Sequence, residues 1–371
     1  MRTVYLDNAA TSFPKPVSVS YALLSCVRDY CGNPGRSSHP HSQKTAEKIY
    51  EARERVALLL GCNTPERVVF TSGATHALNI AIKGLLNHKC HVIISDLEHN
   101  AVLRPLRAVC ERYGISVSEY DSDLHPKEAI EPLVRADTEF IITTLASNLT
   151  GRCIDTAALS KVAREHRISI IADASQYLGH KALDLSSAPF EVVCAPGHKA
   201  LFGIQGAGFA LFNGDFEITP LIEGGSGSDS FNREMPIYLP ERLEAGTLPT
   251  PAIIAMSEGI RFLCDEYGIN NAEKKLKALT DAAIERLCSV KGVKVLSAGN
   301  GIVALNFEGI SSERIAAYLG ERGICVRGGF HCAPSAHRKL GSENVGAVRV
   351  SFSIFNSISD IDALRRALLE I

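Results

Sequence analysis

A chain of 371 residues, 46% hydrophobic and 22% charged, is long enough for about two domains with sizeable cores and has the make-up of an ordinary globular protein. A formal net charge of −2 argues against a nucleic-acid partner, which asks for a basic face. No apolar run reaches the roughly 18 residues of a membrane span, and Met1-Arg2-Thr3-Val4-Tyr5-Leu6-Asp7 carries no apolar leader core, so no membrane partner and a cytoplasmic location are expected.

From residue 67 onward short Val- and Ile-rich runs alternate with amphipathic helices. Strands are predicted at 67–71, 91–95, 115–120, 140–145 and 168–172, and helices from Ala74, Asn100, Pro126 and Thr156. This is the pattern of an α/β domain with a mainly parallel sheet flanked by helices. Strands at 190–195 and 207–212 follow. Residues 221–251 break the rhythm with Gly224, Gly225, Gly227, Gly246 and a cluster of prolines. Helices from Ala252, Ala272 and Ser312, with strands near 293–296, 302–307, Cys325 and Val348, predict a smaller α+β layer. The expected division is an N-terminal segment 1–15 packing near the site, a large domain 16–260 and a small C-terminal domain 261–371, with the site between the last two.

Eleven dispersed cysteines without a C-x-x-C pair indicate neither a metal site nor a disulfide framework. Cys90, Cys194 and Cys264 sit in or beside apolar segments and read as small core residues. Only Cys332, in Val326-Arg327-Gly328-Gly329-Phe330-His331-Cys332-Ala333-Pro334, has the surroundings of a loop. A dinucleotide fold is disfavoured, because Gly203-x-x-Gly206-x-Gly208 precedes a strand instead of opening a helix.

Two further motifs carry chemistry. Lys199 stands in Ala195-Pro196-Gly197-His198-Lys199 and Asp173 in Ala172-Asp173-Ala174-Ser175-Gln176, each just past a predicted strand. Taken singly, the lysine reads as a solvated turn and the aspartate as a helix cap. Together, at carboxyl ends of strands in an open α/β sheet, they supply what a pyridoxal phosphate site needs. The amine can condense with the cofactor aldehyde, and the anion keeps the pyridine nitrogen protonated.

These motifs in this order, from Tyr5-Leu6-Asp7-Asn8-Ala9-Ala10 to Arg349-Val350-Ser351, resemble the class V aminotransferase family of fold-type I pyridoxal 5'-phosphate enzymes. Within it the chain is most similar to group II cysteine desulfurases and selenocysteine lyases. The resemblance implies cofactor-phosphate contacts from Ala74 and Thr75 in Thr71-Ser72-Gly73-Ala74-Thr75, a helix-start turn suited to phosphate. It implies that His99 stacks on the cofactor ring and assists proton transfer, that Asn148 contacts cofactor and substrate, and that Asp173 pairs with the pyridine nitrogen. It further implies that Gln176 bonds the phenolic oxygen, His198 reaches the phosphate and Lys199 carries the cofactor. Arg349 matches the arginine that clamps the substrate carboxylate, work suited to paired guanidinium donors. Thr247, in Arg242-Leu243-Glu244-Ala245-Gly246-Thr247, matches a threonine reaching the phosphate of the neighbouring subunit, which implies a homodimer.

Cys332 matches the cysteine that takes sulfur from the substrate, and its short separation from Arg349 is like the compact loop of group II. The chain departs from the family at Pro196, where a phosphate-ligand serine is common, and at Phe330, where a first histidine is common. The activity implied is conversion of L-cysteine to L-alanine with a persulfide on Cys332, passed to an acceptor protein or small thiol, as in sulfur mobilisation for iron–sulfur cluster assembly. Selenocysteine lyase activity, another class V aminotransferase or lyase reaction, and a non-catalytic scaffold are the alternatives. Intact Lys199, Asp173 and Arg349 argue against the scaffold.

Overall fold

A computed structural model describes residues 3–35, 37–188, 190–228 and 231–371. The chain begins with the short strand β1 (Val4–Tyr5), then α1 (Val17–Ser25), which runs into a π-helical turn at Cys26–Tyr30, and α2 (Pro40–Leu59). Pro40 at the first helical position and the His39 side chain, accepting from the Ser42 N–H, start α2. The sequence reading, which starts at residue 67, does not anticipate these helices. The buried stripe of α2 is Ser42, Thr45, Ile49, Ala52, Arg53, Val56 and Ala57, in which three of the seven members are polar and two are alanines, so its apolar periodicity is faint.

The large sheet is assembled from β2 (Val68–Thr71), α3 (Ala74–Leu85), β3 (His91–Ser95), α4 (Asn100–Tyr113), β4 (Ser116–Tyr120), α5 (Pro126–Ile130), β5 (Thr138–Thr144), α6 (Thr156–His166), β6 (Ser169–Asp173), β7 (Val192–Pro196) and β8 (Gly208–Phe212). Its strands fall within two residues of their predicted bounds. The spatial order is β2-β8-β7-β6-β5-β3-β4; β8 runs antiparallel to both neighbours and the remaining pairs are parallel. Alternation along each strand feeds two cores. Ile93, Ile141, Ile170 and Val193 enter one, while Ile94, Ile142, Ile171 and Val192 enter the other. Both faces are therefore covered, as expected for a parallel sheet.

After the loop-rich segment come α7 (Thr250–Arg261), continuing as π-helical turns at Phe262–Tyr267, α8 (Ile269–Cys288), β9 (Val293–Gly299), β10 (Ile302–Phe307), α9 (Ser312–Glu321), β11 (Ile324–Cys325), β12 (Arg327–Gly329), α10 (Pro334–Lys339), β13 (Ala347–Ser351) and α11 (Ile358–Leu369). A four-stranded antiparallel sheet, β12-β13-β10-β9, packs on α8, α9 and α11 around Leu276, Val303, Leu305, Val350 and Leu364. Helices α10 and α11 are additions to the sequence reading. Cys264 corrects it: this thiol is exposed, since it falls on the outer side of the π-helical turns, whereas Cys90 and Cys194 are buried.

The N-terminal segment is stitched to the C-terminal sheet. β1 pairs in parallel with β11, Asp7 bridges to Ser351, and Asn8 Nδ2 donates to the Ser351 carbonyl at 3.0 Å. No described helix is long and apolar enough to cross a membrane.

Candidate active site

The carboxyl ends of β5, β6 and β7, the start of α3 and the turn after β12 surround a cavity of about 370 Å³. Asp173 is the last residue of β6 and is 3% exposed. Its Oδ1 accepts from the Ser175 N–H at 2.9 Å. Lys199 follows β7 in a turn closed by Gly203 N–H donating to the Gly197 carbonyl at 2.8 Å. Both glycines are dictated by packing. A Cβ on Gly197 would lie 2.8 Å from Met256 Sδ, and one on Gly203 would lie 2.7 Å from Met256 Cα.

Burial pushes the Lys199 amine down to about 8, opposed by Asp173 and aided by Arg349 and Arg327. At pH 7 about a tenth of it is then neutral, against less than a thousandth of an ordinary lysine. Burial, opposed by Asp173, also lowers His99. Its Nδ1 accepts from the Ala101 N–H at 2.9 Å, so His99 both caps α4 and faces the cavity with Nε2 as the protonated nitrogen. Beside it Glu98 is fully buried and pushed up to about 8 by that burial. Its Oε1 accepts from the Thr144 N–H at 2.8 Å and from the Ser95 hydroxyl, tying the His99 turn to β5.

At the other end, Ser72, Gly73, Ala74 and Thr75 bring the open N-terminus of α3 to the cavity wall, and a Cβ on Gly73 would meet nothing within 4 Å. Pro196 lines the same wall without a donor, and His198 stands beside it. Burial, with Lys199 and Lys15, lowers His198 to about 4, and its Nδ1 is buried without a partner among the described residues.

Arg349, on β13, is 1% exposed. Its Nη2 donates to Asp7 Oδ1 at 2.8 Å and its Nη1 to the Asn148 carbonyl at 3.1 Å, while Nε has no partner among the described residues. The Asn148 side chain donates to the His331 carbonyl at 2.7 Å, and the Asn100 N–H donates to the Cys332 carbonyl at 2.9 Å. His331 and Cys332 have φ of 52° and 55°, left-handed values unusual for residues with side chains, and these two bonds clamp their carbonyls. The His331 ring stacks on His337 at 5.8 Å and its Nε2 lies 3.2 Å from the Arg327 carbonyl. Phe330 is turned outward against the edge of His337. The result is a rigid turn presenting an exposed Cys332 thiol at the cavity.

The structure thus brings Ala74, Thr75, His99, Asn148, Asp173, Gln176, His198, Lys199, Cys332 and Arg349 to one cavity. Gln176 spends one N–H on the Ala9 carbonyl at 2.8 Å, fastening the N-terminal segment there. Thr247 lies apart, beside Arg53, Glu244 and Gly246 in a cavity of about 260 Å³. Sequence reasoning missed Asp7, Arg327 and His331 as members of the site. All three stand inside quoted motifs, Asp7 in Tyr5 to Ala10 and both Arg327 and His331 in Val326 to Pro334, so membership of those motifs is the signal that could have found them.

The orphaned Nδ1 of His198 and Nε of Arg349, the uncapped start of α3 and the depressed Lys199 amine opposite Asp173 call for an anionic ligand with an electrophilic carbon. A pyridoxal phosphate and an amino acid carboxylate fit that donor set.

The family model for aminotransferase class V matches residues 4–364. A probable cysteine desulfurase of Methanothermobacter thermautotrophicus is 29% identical over 99% of this chain and 94% of its own length. The cysteine desulfurase CsdA of Escherichia coli is 29% identical over 98% of this chain and 93% of its own. Its crystal structure in an S-sulfonic acid form superposes with a TM-score of 0.89, at 28% identity, covering 99% of this chain and 95% of that one. A cysteine desulfurase of Thermococcus onnurineus, solved in the apo state, gives a TM-score of 0.89 at 25% identity, covering 99% and 94%. With its family model spanning nearly the whole sequence and its site built at the strand ends, the chain belongs to the class V aminotransferases.

Proposed function

We propose that this chain is a pyridoxal-phosphate-dependent cysteine desulfurase that converts L-cysteine to L-alanine and retains the sulfur on Cys332. The observation that carries this reading is the exposed Cys332 thiol on a clamped turn of the same cavity that holds Lys199 and Arg349. The relatives named cysteine desulfurase, matched along nearly their whole length, support it.

In this reading Lys199 holds the cofactor, Asp173 faces its ring nitrogen, Gln176 its phenolic oxygen, His99 its ring face, and Ala74, Thr75 and His198 its phosphate. When bound, the cofactor supplies a protonated ring that stores the electron pair left by loss of the substrate α-proton. Arg349 orients the substrate through its carboxylate, with Asn148 alongside. Lys199, once free, moves the α-proton. The Cys332 thiolate attacks the substrate Sγ, the Cβ–Sγ bond breaks, and the carbon fragment collects protons to leave as alanine. The N-terminal segment 1–15, a large domain 16–260 and a small domain 261–371 bearing the cysteine turn divide this work. A cytoplasmic homodimer in which Thr247 serves the neighbouring subunit, feeding an acceptor on the way to iron–sulfur clusters, completes the reading.

Purified protein reconstituted with pyridoxal phosphate should release one alanine per sulfide from L-cysteine in the presence of a reducing thiol. A keto acid in place of alanine would contradict the reading.

A further inference from the structure

Cys332 faces a second space. Adjoining the cavity described above, and sharing Thr75, His99, Ala101 and Cys332 with it, a groove of about 350 Å³ runs between α3 and α4 with Cys332 at one end. Thr75, Asn79 and Lys83 form one wall, spaced four residues apart on α3, and Asn100 and Arg104 stand on the other, on α4. The Asn100 N–H holds the Cys332 carbonyl at 2.9 Å, which pins the cysteine to the head of the groove. At 1.5 Å per residue, Arg104 lies roughly 6 Å along α4 from that head and Lys83 roughly 12 Å along α3 from Thr75.

Two cations therefore face a groove that no described carboxylate lines. Their neighbour Arg107, on the same helix as Arg104, is paired with Glu111 at 2.9 Å, but neither Lys83 nor Arg104 has an ion-pair partner among the described residues. In a chain of net charge −2, an uncompensated pair of cations leading to a nucleophilic sulfur is a recognition feature with a direction.

We propose that this groove binds the sulfur acceptor, a carboxylate-bearing thiol of short-peptide size whose sulfur meets Cys332 while its carboxylates pair with Lys83 and Arg104. The inference rests on the desulfurase reading and adds the chemical class of the second substrate. A span of roughly 6 to 12 Å corresponds to two to four extended residues, and the volume is that of a small-ligand site. The acceptor thiolate attacks the outer sulfur of the Cys332 persulfide. A new sulfur–sulfur bond forms on the acceptor, the bond to Cys332 Sγ breaks, and Cys332 leaves as a thiolate. No outside oxidant or reductant is needed.

One test is independent of turnover. Modification of the Cys332 peptide is followed by mass spectrometry with the dianionic disulfide 5,5'-dithiobis(2-nitrobenzoate) and with the neutral 4,4'-dithiodipyridine. Expected is a preference for the dianion in the wild type that falls about tenfold in Lys83→Ala/Arg104→Ala, collapses in high salt and inverts in Lys83→Glu/Arg104→Glu, with the neutral rate unchanged. A second test loads the holoenzyme with L-cysteine and times sulfur transfer to mercaptosuccinate and to mercaptoethanol. The alanine variant should load normally and lose only the preference for mercaptosuccinate. If no persulfide forms, the desulfurase reading fails while the disulfide test still judges the groove. Equal charge preference in wild type and variants in the disulfide test overturns the groove.

Discussion

Lys199 is defined by its surroundings more than by its sequence neighbours. Burial holds its amine down to about 8, so reaction of the apoprotein with pyridoxal phosphate should quicken with rising pH and level off above about pH 8. The sign follows from the neutral amine being the nucleophile. A midpoint near 10, as for an exposed lysine, would contradict it, and Lys199→Ala should fold yet fail to develop the visible band of bound cofactor. Lys199 and Asp173 were legible because strand ends in an alternating α/β sequence are predictable positions. The partnership of Arg349 with Asp7 was not, because it joins residues 342 apart in sequence and depends on how β1 docks on β11. Asn148 shows the same limit: the resemblance marks it for cofactor and substrate, while the structure adds its grip on the His331 carbonyl at 2.7 Å.

Among the elements, the turn between β7 and β8 is where packing sets the chemistry. Gly197 and Gly203 let it lie against α7. A Cβ at Gly197 meets mainly the flexible Met256 side chain, whereas one at Gly203 meets the Met256 backbone. Gly203→Ala should therefore cost about 1–3 kcal/mol, and more than Gly197→Ala, with weakened cofactor retention in the first. Thermal melts of both variants check this, and a Gly203→Ala protein melting like wild type would overturn the packing argument. The large-sheet strands were readable from alternation and β-branched content. Helices α1 and α2 were not, because small and polar residues fill much of the buried face of α2 and α1 leaves Val17, Tyr21 and Leu24 exposed. The turn at Cys332 could be read as a loop from its glycines and proline, but not its left-handed geometry at two consecutive residues with side chains.

At the scale of the whole molecule, the N-terminal segment, the large sheet and the C-terminal sheet each contribute to one cavity, while Thr247 stands outside it. In the dimer proposed above, Thr247→Ala should weaken cofactor retention by roughly ten- to a hundredfold without loss of fold, since a bond to a charged phosphate is worth about 1.5–3 kcal/mol. A monomer by sedimentation that retains cofactor and turns over would contradict the shared site. The central claim is that Cys332 receives the substrate sulfur, and a brief pulse of L-cysteine on the holoenzyme followed by peptide mass spectrometry tests it most directly. The account predicts one added sulfur on the Cys332 peptide of the wild type, with Cys332→Ser still binding L-cysteine but losing nearly all alanine release. An unmodified Cys332 peptide, or full alanine release by Cys332→Ser, would contradict it.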